Sequence, residues 1–292
     1  MKNLIIVTGG AGFVGSNLIN LLLKKTKKKI LSFDNYSTGT VKNHVNDKRV
    51  IYIKGNTTEI EKKLSKFKKR IHSIFHFGEF SRIYQSFKKF DECYKSNTIG
   101  SSAIFKFCLK NKIKLIYSAT SATLGNHGDD ENLSPYAFTK SKNLELLENL
   151  KKWFNFKYEV IYFYNVYGPG QIKEGSMATV IGIFEDQFKK NKPLPIVRPG
   201  TQTRRFTHIY DTVAVCYEAW KKNKCAHYSI SHKKSYSIKN VAEMFKSRII
   251  YLKKRQGERY ASALTKISLN NKVFRRFGKI NLKDYISSFI KS

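Results

Sequence analysis

Residues 8–15 read TGGAGFVG and stand between two different hydrophobic patterns. Before them, the apolar run LIIV at residues 4–7 is typical of a buried strand. After them, apolar residues recur at helical spacing over residues 12–24, and the predicted buried face carries Val14, Leu18, Leu21 and Leu22. A β-branched run that breaks into glycines and then into a helical pattern predicts a strand, a tight turn and a helix.

The three spaced glycines of this turn each have a physical role at a dinucleotide site. Gly9 permits the tight turn, Gly12 lets backbone N–H groups approach a diphosphate, and Gly15 lets the helix pack closely on its strand. The helix N-terminus offers N–H donors and a partial positive charge to the phosphates. A second predicted strand, residues 30–33, ends at Asp34, where an acid would hold the adenosine ribose hydroxyls. This context predicts a dinucleotide site, with a glycine-rich surface turn as the alternative.

The composition is that of a soluble globular protein. A chain of 292 residues, 41% hydrophobic and 14% aromatic, can bury one large core or two modest ones. It has no apolar run of membrane-span length and no convincing signal peptide, so a cytoplasmic location without a membrane partner is expected. The four cysteines have no metal-ligand spacing and are expected to be reduced packing residues, with no metal site: Cys93, Cys108, Cys216 and Cys225.

The chain is strongly basic, with 55 Lys and Arg against 21 Asp and Glu and a formal net charge of +34. Dense patches lie at residues 24–29 and 62–70, which would fit a nucleic-acid surface. These patches fall at helix ends and loops without interleaved aromatic residues. We therefore favour solvated lysine-rich helix faces and expect no nucleic-acid partner.

Predicted strands and helices alternate as far as residue 118. The strands cover residues 4–7, 30–33, 50–54, 73–77 and 114–118, and the helices cover residues 12–24, 60–69 and 91–110. This alternation predicts an α/β fold with a Rossmann-type, doubly wound parallel sheet that binds ligands at the carboxyl ends of its strands. Asn56 and Thr57 follow the third strand, within reach of an adenine. His76 lies in the apolar fourth strand, and we expect a buried, hydrogen-bonded histidine there instead of a catalytic one.

A candidate general base follows the fifth strand. Pro135 opens a helical pattern, so Tyr136 and Lys140 fall in its first turns and on one face. A lysine ammonium beside a phenol stabilises the phenolate, which can then act as a general base. Tyr136 also stands sixteen residues after Thr120, which lies at the carboxyl end of a strand. Two other pairs with the same spacing are expected on helix surfaces: Tyr84/Lys88 and Tyr217/Lys221.

These segments together resemble the extended short-chain dehydrogenases/reductases, and among them the NAD-dependent nucleotide-sugar epimerase/dehydratase family of UDP-glucose 4-epimerase-like proteins. The match runs from the glycine turn to about Asp211, with a looser match in the tail. In that family a Ser/Thr, a Tyr and a Lys act together, and the resemblance implies these roles for Thr120, Tyr136 and Lys140. It implies NAD as the cofactor, bound by Gly9, Gly12, Phe13, Val14, Gly15, Asp34, Asn35, Asn56, Thr57, Phe77, Tyr136 and Lys140.

The resemblance also extends to segments that bind the substrate diphosphate. The implied ligands are Asn165 in YNVYGP (residues 164–169), Arg204 in GTQTRRFTHI (residues 200–209) and Arg255 in RQGE (residues 255–258). The family usually has Asp at two positions that are Asn56 and Arg205 here. The amide keeps an acceptor for adenine, so NAD binding is expected to survive. Arg205 adds a cation beside Arg204, the implied phosphate ligand. This cation would suit a more acidic substrate, or it simply follows the lysine-rich composition of the whole chain.

The two residues after Thr120 distinguish the reactions of this family. The 4,6-dehydratases place Asp and Glu there, because loss of water needs an acid and a base, and the nucleotide-sugar decarboxylases have a Glu. Here the positions are Ser121 and Ala122, which cannot do that work. The sequence therefore predicts 4-epimerisation of an NDP-hexose or NDP-N-acetylhexosamine through a transient 4-keto intermediate.

Three alternatives stay open. The run GSMA at residues 175–178 resembles nucleotide-activated heptose 6-epimerases, in which a lysine before the glycine is a second base. Here Glu174 holds that position and Lys173 precedes it, and a substrate-loop turn is the preferred interpretation. A second alternative is an NDP-sugar dehydratase or reductase on the same scaffold. The third is a basic nucleic-acid-binding protein that carries a dinucleotide site.

The resemblance also implies a division of the chain. Residues 1–167 are expected to form the NAD-binding domain, with roughly residues 205–231 returning to it, and residues 168–292 mainly a substrate-binding lobe. Predicted elements after the Tyr–Lys helix cover residues 177–190, 194–197, 211–222, 227–230, 238–245, 249–253 and 281–290. A homodimer is expected through the helices at residues 91–110 and 136–154, with burial of their apolar residues in the core as the alternative.

Overall fold

The computed structural model describes residues 2–124, 132–257 and 273–292. The sequence GDDE at residues 128–131, which predicts a loop, and Glu258 of the tail motif lie outside the described residues. Within the described part of the chain, none of the helices has both the length and the apolar character needed to cross a bilayer.

Strands and helices alternate through the first half of the chain. They are β1 (Leu4–Thr8), α1 (Phe13–Lys25), β2 (Lys29–Asp34), β3 (Val50–Lys54), α2 (Ile60–Leu64), β4 (Ile71–His76), α3 (Ile83–Lys88), α4 (Phe90–Tyr94), α5 (Ser101–Lys110), β5 (Lys114–Thr120), α6 (Pro135–Phe154) and β6 (Tyr158–Phe163). The five strands predicted in this part are all present.

The second half mixes short strands with helices. Its elements are β7 (Val166–Tyr167), α7 (Val180–Lys189), β8 (Leu194–Val197), β9 (Thr203–Arg205), β10 (Thr207–His208), α8 (Ile209–Lys222), β11 (His227–Ser231), β12 (Ser235–Ser237), α9 (Ile238–Met244), β13 (Ile249–Leu252), β14 (Val273–Phe277) and α10 (Leu282–Lys291). Helix α7 begins three residues later than predicted, because Thr179 caps it and accepts a hydrogen bond from the Gly182 amide.

Eight parallel strands form the main sheet, in the order β14-β11-β6-β5-β4-β1-β2-β3. Strand β1 lies between β2 and β4, so the chain winds outward from β1 in both directions. Ligands bind at such a reversal of strand order, at the carboxyl ends of the strands. Here those ends are Thr8, Asp34, His76 and Thr120. The doubly wound α/β fold is confirmed.

Alternate residues of β1 anchor two apolar layers, one on each face of the sheet. Leu4 and Ile6 belong to a cluster with residues of α5 and α6, whereas Ile5 and Val7 belong to a cluster with residues of α1 and α8. A third apolar cluster lies away from the sheet and joins α7, α9 and α10. The sheet is therefore buried on both faces, which is why its central strands read as continuous apolar runs.

Two predicted helices are wrong in their extent. The helix predicted at residues 60–69 ends at Leu64 and continues as a 3-10 turn, because SKFKKR at residues 65–70 has one apolar residue to extend the buried face. The helix predicted at residues 91–110 is interrupted by a π-helical turn over Lys95–Gly100. This wide turn brings Asn97 into the interior, where its side chain bonds both backbone polar groups of Phe80.

Strand β14 was missed by sequence reasoning. It pairs in parallel with β11 and forms one edge of the sheet. Its sequence, VFRRF, contains two arginines, which is typical of an edge strand and obscures the apolar pattern of a buried one. Arg276 pairs with Glu218 of α8 at 2.5 Å, and this contact fixes the strand against the sheet's covering helix.

Candidate active site

The glycine turn is closed by backbone contacts that leave no room for side chains at two positions. Gly9 has φ +69°, and a Cβ on Gly15 would lie 2.1 Å from the carbonyl oxygen of Gly9 and 2.7 Å from the Cα of Gly10. At Gly12 a Cβ would come closest to the Gly9 oxygen, at 3.2 Å. The protein thus needs glycine at residues 9 and 15 for its own packing, whereas Gly12 borders open space at the start of α1. This is the arrangement expected of a phosphate cradle.

Asp34 is held rigidly at the end of β2. Its two carboxylate oxygens accept hydrogen bonds from the backbone N–H groups of Ala11 (2.9 Å) and Tyr36 (2.8 Å). The neighbouring Asn35 amide donates to Asn56 Oδ1 at 3.0 Å, so two predicted cofactor residues are joined across the β2 and β3 ends. Asn56 itself opens a 3-10 turn through a capping box with Glu59.

The predicted catalytic residues converge from two elements. Thr120 ends β5, and Tyr136 and Lys140 lie one turn apart at the start of α6, which Pro135 and the Ser134 cap initiate. The backbone amide of Tyr136 donates to Ser86 Oγ at 3.2 Å, and Lys140 Nζ donates to the carbonyl of Ser118 at 2.6 Å. Both side chains are more than nine-tenths buried.

A buried carboxylate beside Lys140 was missed by sequence reasoning. Glu79, with 2% of its side chain exposed, forms an ion pair with Lys140 Nζ. Its Oε1 accepts hydrogen bonds from Ser101 Oγ at 2.8 Å, Tyr117 Oη at 3.1 Å and Asn143 Nδ2 at 3.3 Å. An acidic residue three positions after the end of an apolar strand, where ligands bind, was the signal available in the sequence.

The histidine at the end of β4 completes this network, and the expectation of a buried, hydrogen-bonded His76 is confirmed. Its Nδ1 lies 2.7 Å from Thr8 Oγ1 and its Nε2 lies 3.0 Å from Ser101 Oγ. Burial lowers the pKa of His76 to about 4, so the ring is neutral at pH 7. Because Ser101 donates to Glu79, its oxygen accepts from His76 Nε2, and Nδ1 then accepts from Thr8.

One cavity of about 710 Å³ runs along the carboxyl ends of the strands. Every residue predicted to bind the cofactor, to act in catalysis or to bind the substrate lines it, as do Glu79 and Arg82. Arg82 connects two segments of the cavity wall, because its Nε donates a hydrogen bond to the carbonyl of Met177 at 2.8 Å. The volume lies within the range of small-molecule sites.

The three implied phosphate ligands enter this cavity from different segments. Asn165 has φ +34° and donates from Nδ2 to the Arg205 carbonyl at 2.9 Å. Arg204 lies on β9, and the guanidinium of Arg255 lies 5.1 Å from the ring centroid of Tyr84. The fold thus brings together residues that are up to 90 positions apart in the sequence.

Other candidates lie outside the cavity lining. Lys173 pairs with Glu185 at 2.8 Å, and Glu174 pairs with Lys190 beside a turn at Gly175. Arg205 Nη1 donates to the carbonyls of residues 232 and 233, so it connects β9 to the loop between β11 and β12.

Within residues 2–124, 132–257 and 273–292, the cysteines and the other potential metal ligands form no metal site. Cys93, Cys108 and Cys216 are buried and all four cysteines are free, in agreement with packing residues. Burial raises the pKa of the Cys93 thiol to about 11. Over those ranges no group of three or more His, Cys, Asp or Glu side chains could hold a metal ion.

Comparison with known proteins identifies one family, whose matching members are named as epimerases and dehydratases. A family model described as the NAD dependent epimerase/dehydratase family matches residues 5–231. An ADP-L-glycero-D-manno-heptose-6-epimerase of Brachyspira hyodysenteriae is 31% identical over 229 residues, which cover 73% of this chain and 70% of that protein. A putative UDP-glucose 4-epimerase of Methanocaldococcus jannaschii is 28% identical, with 88% of each chain covered.

Solved structures share the fold over nearly the whole chain. The UDP-glucuronic acid 4-epimerase of Bacillus cereus, solved with UDP-glucuronic acid and NAD, superposes with a TM-score of 0.83 at 25% identity and covers 99% of both chains. The UDP-glucose 4-epimerase of Thermotoga maritima, solved with UDP-glucose, superposes with a TM-score of 0.86 at 22% identity.

Proposed function

The chain belongs to the NAD-dependent epimerase/dehydratase family, and on this premise we propose that it epimerises C4 of an NDP-hexose or an NDP-N-acetylhexosamine. The observation that carries the proposal is the pair Ser121 and Ala122, which follow Thr120 on the cavity wall and supply neither a carboxylic acid nor a carboxylate. Glu79 does not replace them, because its oxygens accept bonds from Lys140, Ser101, Tyr117 and Asn143. Loss of water from the sugar is therefore poorly supported, and inversion is favoured.

NAD is the cofactor of this family, and the cavity fits it. The space beside Gly12 admits a diphosphate, and Asp34 stands at the end of β2, where a ribose would lie. We assign the wall around Asn35, Asn56, Thr57 and Phe77 to the remainder of the cofactor. When bound, NAD supplies a hydride acceptor that later returns the hydride.

The residues of this chain would handle the proton and the substrate. Tyr136, as phenolate, takes the proton of the sugar 4-hydroxyl while the C4–H bond breaks, and returns it when that bond re-forms on the opposite face. The ammonium of Lys140 stabilises the phenolate, and Thr120 hydrogen-bonds the reacting oxygen. The net result is inversion at C4 with no change in the composition of the sugar.

The diphosphate has to stay in place while the 4-keto sugar turns over. Asn165, Arg204 and Arg255 line the cavity and would hold it through charge-assisted hydrogen bonds.

The heptose alternative has less support from the geometry. Its second base would be Glu174 or Lys173, and both side chains form ion pairs outside the cavity lining. Activated heptoses are nevertheless included in the assay below, because one relative is named as a heptose-6-epimerase.

The test is a product assay with purified protein and added NAD. The panel contains nucleotide hexoses, N-acetylhexosamines, pentoses, uronic acids and activated heptoses, separated by chromatography with mass detection. We expect a new peak of unchanged mass from a hexose or N-acetylhexosamine. A product lighter by one water would contradict the inference from Ser121 and Ala122. Salt-sensitive binding of RNA or DNA without turnover would favour the nucleic-acid alternative.

We propose that the chain divides into an NAD-binding domain and a substrate-binding lobe, and that the separate apolar clusters mark this division. Residues 1–167 and about 205–231 carry the NAD site, and residues 168–292 mainly carry the substrate lobe, in which α7, α9 and α10 share one cluster. Strand β14 is an exception, because it belongs to the main sheet. The four free cysteines fit the reducing cytoplasm, where we propose that the enzyme works.

We propose that the enzyme is a homodimer formed through α4–α5 and α6. These helices and the π-helical turn between α4 and α5 expose large apolar side chains: Phe90, Tyr94, Ile99, Phe138, Trp153 and Phe154. Sedimentation should give the mass of two chains for the wild type and of one chain for Trp153→Glu, which charges a side chain that is 63% exposed. The control Ile250→Glu, at a 44% exposed position on β13, should stay dimeric. A monomeric wild type would refute this interface.

A further inference from the structure

We propose that Glu79 is a positioning residue whose negative charge fixes Lys140 and sets the pH at which Tyr136 ionises. The inference rests on the catalytic roles proposed above for Tyr136 and Lys140. Glu79 lies in none of the motifs on which the resemblance to the family rests.

The geometry gives the Lys140 ammonium one defined position. Its Nζ bonds Glu79 Oε2 and the Ser118 carbonyl, and it lies 4.7 Å from the centroid of the Tyr117 ring. Glu79 is itself fixed, because its other oxygen accepts from Ser101, Tyr117 and Asn143. The long, flexible side chain of Lys140 is thus held at the cavity wall by the Glu79 carboxylate, whose own position is fixed by three hydrogen bonds.

The charge balance around Glu79 follows from its neighbours. His76 on β4 is neutral because burial lowers its pKa to about 4. Burial raises the pKa of Cys93 on α4 to about 11 and the pKa of Tyr117 on β5 well above its usual range, so both are neutral at pH 7. Lys140 is therefore the charged side chain that directly faces Glu79 among the described residues.

A second cation of the same cavity, Arg82, acts on Tyr136. Arg82 precedes α3 and interacts electrostatically with Tyr136, and its guanidinium donates hydrogen bonds to the backbone carbonyls of Ser81 and Met177. Glu79 offsets the charge of Lys140, so the net field at Tyr136 is weaker than a lysine alone would give. Arg82 then supplies part of the positive potential at the phenol.

While Lys140 stays protonated, electrostatics fixes the sign of the effect. Removing a negative charge favours the anionic form of a neighbouring phenol and disfavours the cationic form of a neighbouring amine. In Glu79→Gln, Tyr136 should ionise at lower pH by about one unit, which means about tenfold more phenolate below the midpoint. Both limbs of the pH–activity profile should shift downward together. A residue with a purely structural role would lower the amplitude and leave the midpoints unchanged.

The test is a pH titration of phenolate absorbance in the near ultraviolet. In the wild-type background, the Tyr136 signal is the absorbance of the wild type minus that of Tyr136→Phe. In the Glu79→Gln background, it is the absorbance of Glu79→Gln minus that of Glu79→Gln/Tyr136→Phe. The control is Glu61→Gln, which removes an exposed carboxylate paired with Lys110 at 3.3 Å and should leave the midpoint unchanged. This measurement needs no substrate, so it stands even if the product assay fails. An unchanged midpoint in Glu79→Gln would overturn the proposal.

A stability cycle covers the case in which Glu79→Gln does not fold. That variant leaves a buried ammonium unpaired, and Lys140→Met leaves a buried carboxylate unpaired, so each should lower the thermal midpoint strongly. The double variant Glu79→Gln/Lys140→Met removes both charges and should recover most of the loss. The Glu79–Lys140 pairing would be contradicted if the two decreases in thermal midpoint simply added in the double variant, or if the double variant could not fold.

Discussion

Tyr136→Phe should reduce kcat for epimerisation by about 10³-fold, because the phenol that exchanges the proton of the 4-hydroxyl is gone. The fold should persist, since the hydrogen bond that Tyr136 makes to Ser86 comes from its backbone amide. NAD affinity should change little, because the ring that lines the cavity is kept. Steady-state kinetics and NAD titration measure the two effects separately.

The matched control is Tyr217→Phe. Tyr217 and Lys221 have the same spacing on α8, but neither lines the cavity. This variant should keep wild-type turnover. Full activity in Tyr136→Phe, or an equal loss in both variants, would remove Tyr136 from the proposed chemistry.

Gly15→Ala should damage both stability and NAD binding. The added Cβ would lie 2.1 Å from the Gly9 oxygen and 2.7 Å from the Gly10 Cα, and both are backbone atoms of the cradle. The turn would have to move away from α1, at a cost of about 1–3 kcal/mol in the free energy of unfolding. We expect the Kd for NAD to rise by about tenfold or more, which corresponds to about 1.4 kcal/mol. Chemical denaturation and calorimetric titration measure these changes.

Gly12→Ala separates the packing role from the binding role. Its Cβ would meet the Gly9 oxygen at 3.2 Å and otherwise enter the cavity, so stability should fall little while NAD affinity falls. Equal loss of stability in both variants would show that the distinction between the two glycines is wrong.

The parts of the fold that the sequence predicted have strong local signals. The glycine turn, Asp34 and the Pro135-initiated helix are each marked by residues whose conformational demands are specific. Because parallel strands bring their carboxyl ends to one edge, these local signals were enough to predict that distant residues such as Asp34 and Tyr136 share a cavity.

The parts that the sequence did not predict depend on tertiary contacts. The π-helical turn at Lys95–Gly100 exists because Asn97 satisfies the buried backbone of Phe80, which lies on another segment. Glu79 belongs to the site because the fold places it beside Lys140, which is 61 positions away in the sequence. Strand β14 depends on pairing with β11, and its arginines conceal the strand pattern.

The most direct measurement of the central claim is the reaction in D₂O, with the substrate identified in the product assay and the product analysed by mass spectrometry and NMR. Inversion by transient oxidation returns the same hydrogen to C4, so we predict an inverted C4, no carbon-bound deuterium and an unchanged mass after return to H₂O. Deuterium on a sugar carbon, inversion at another carbon or loss of water would contradict C4 epimerisation by Tyr136 and NAD.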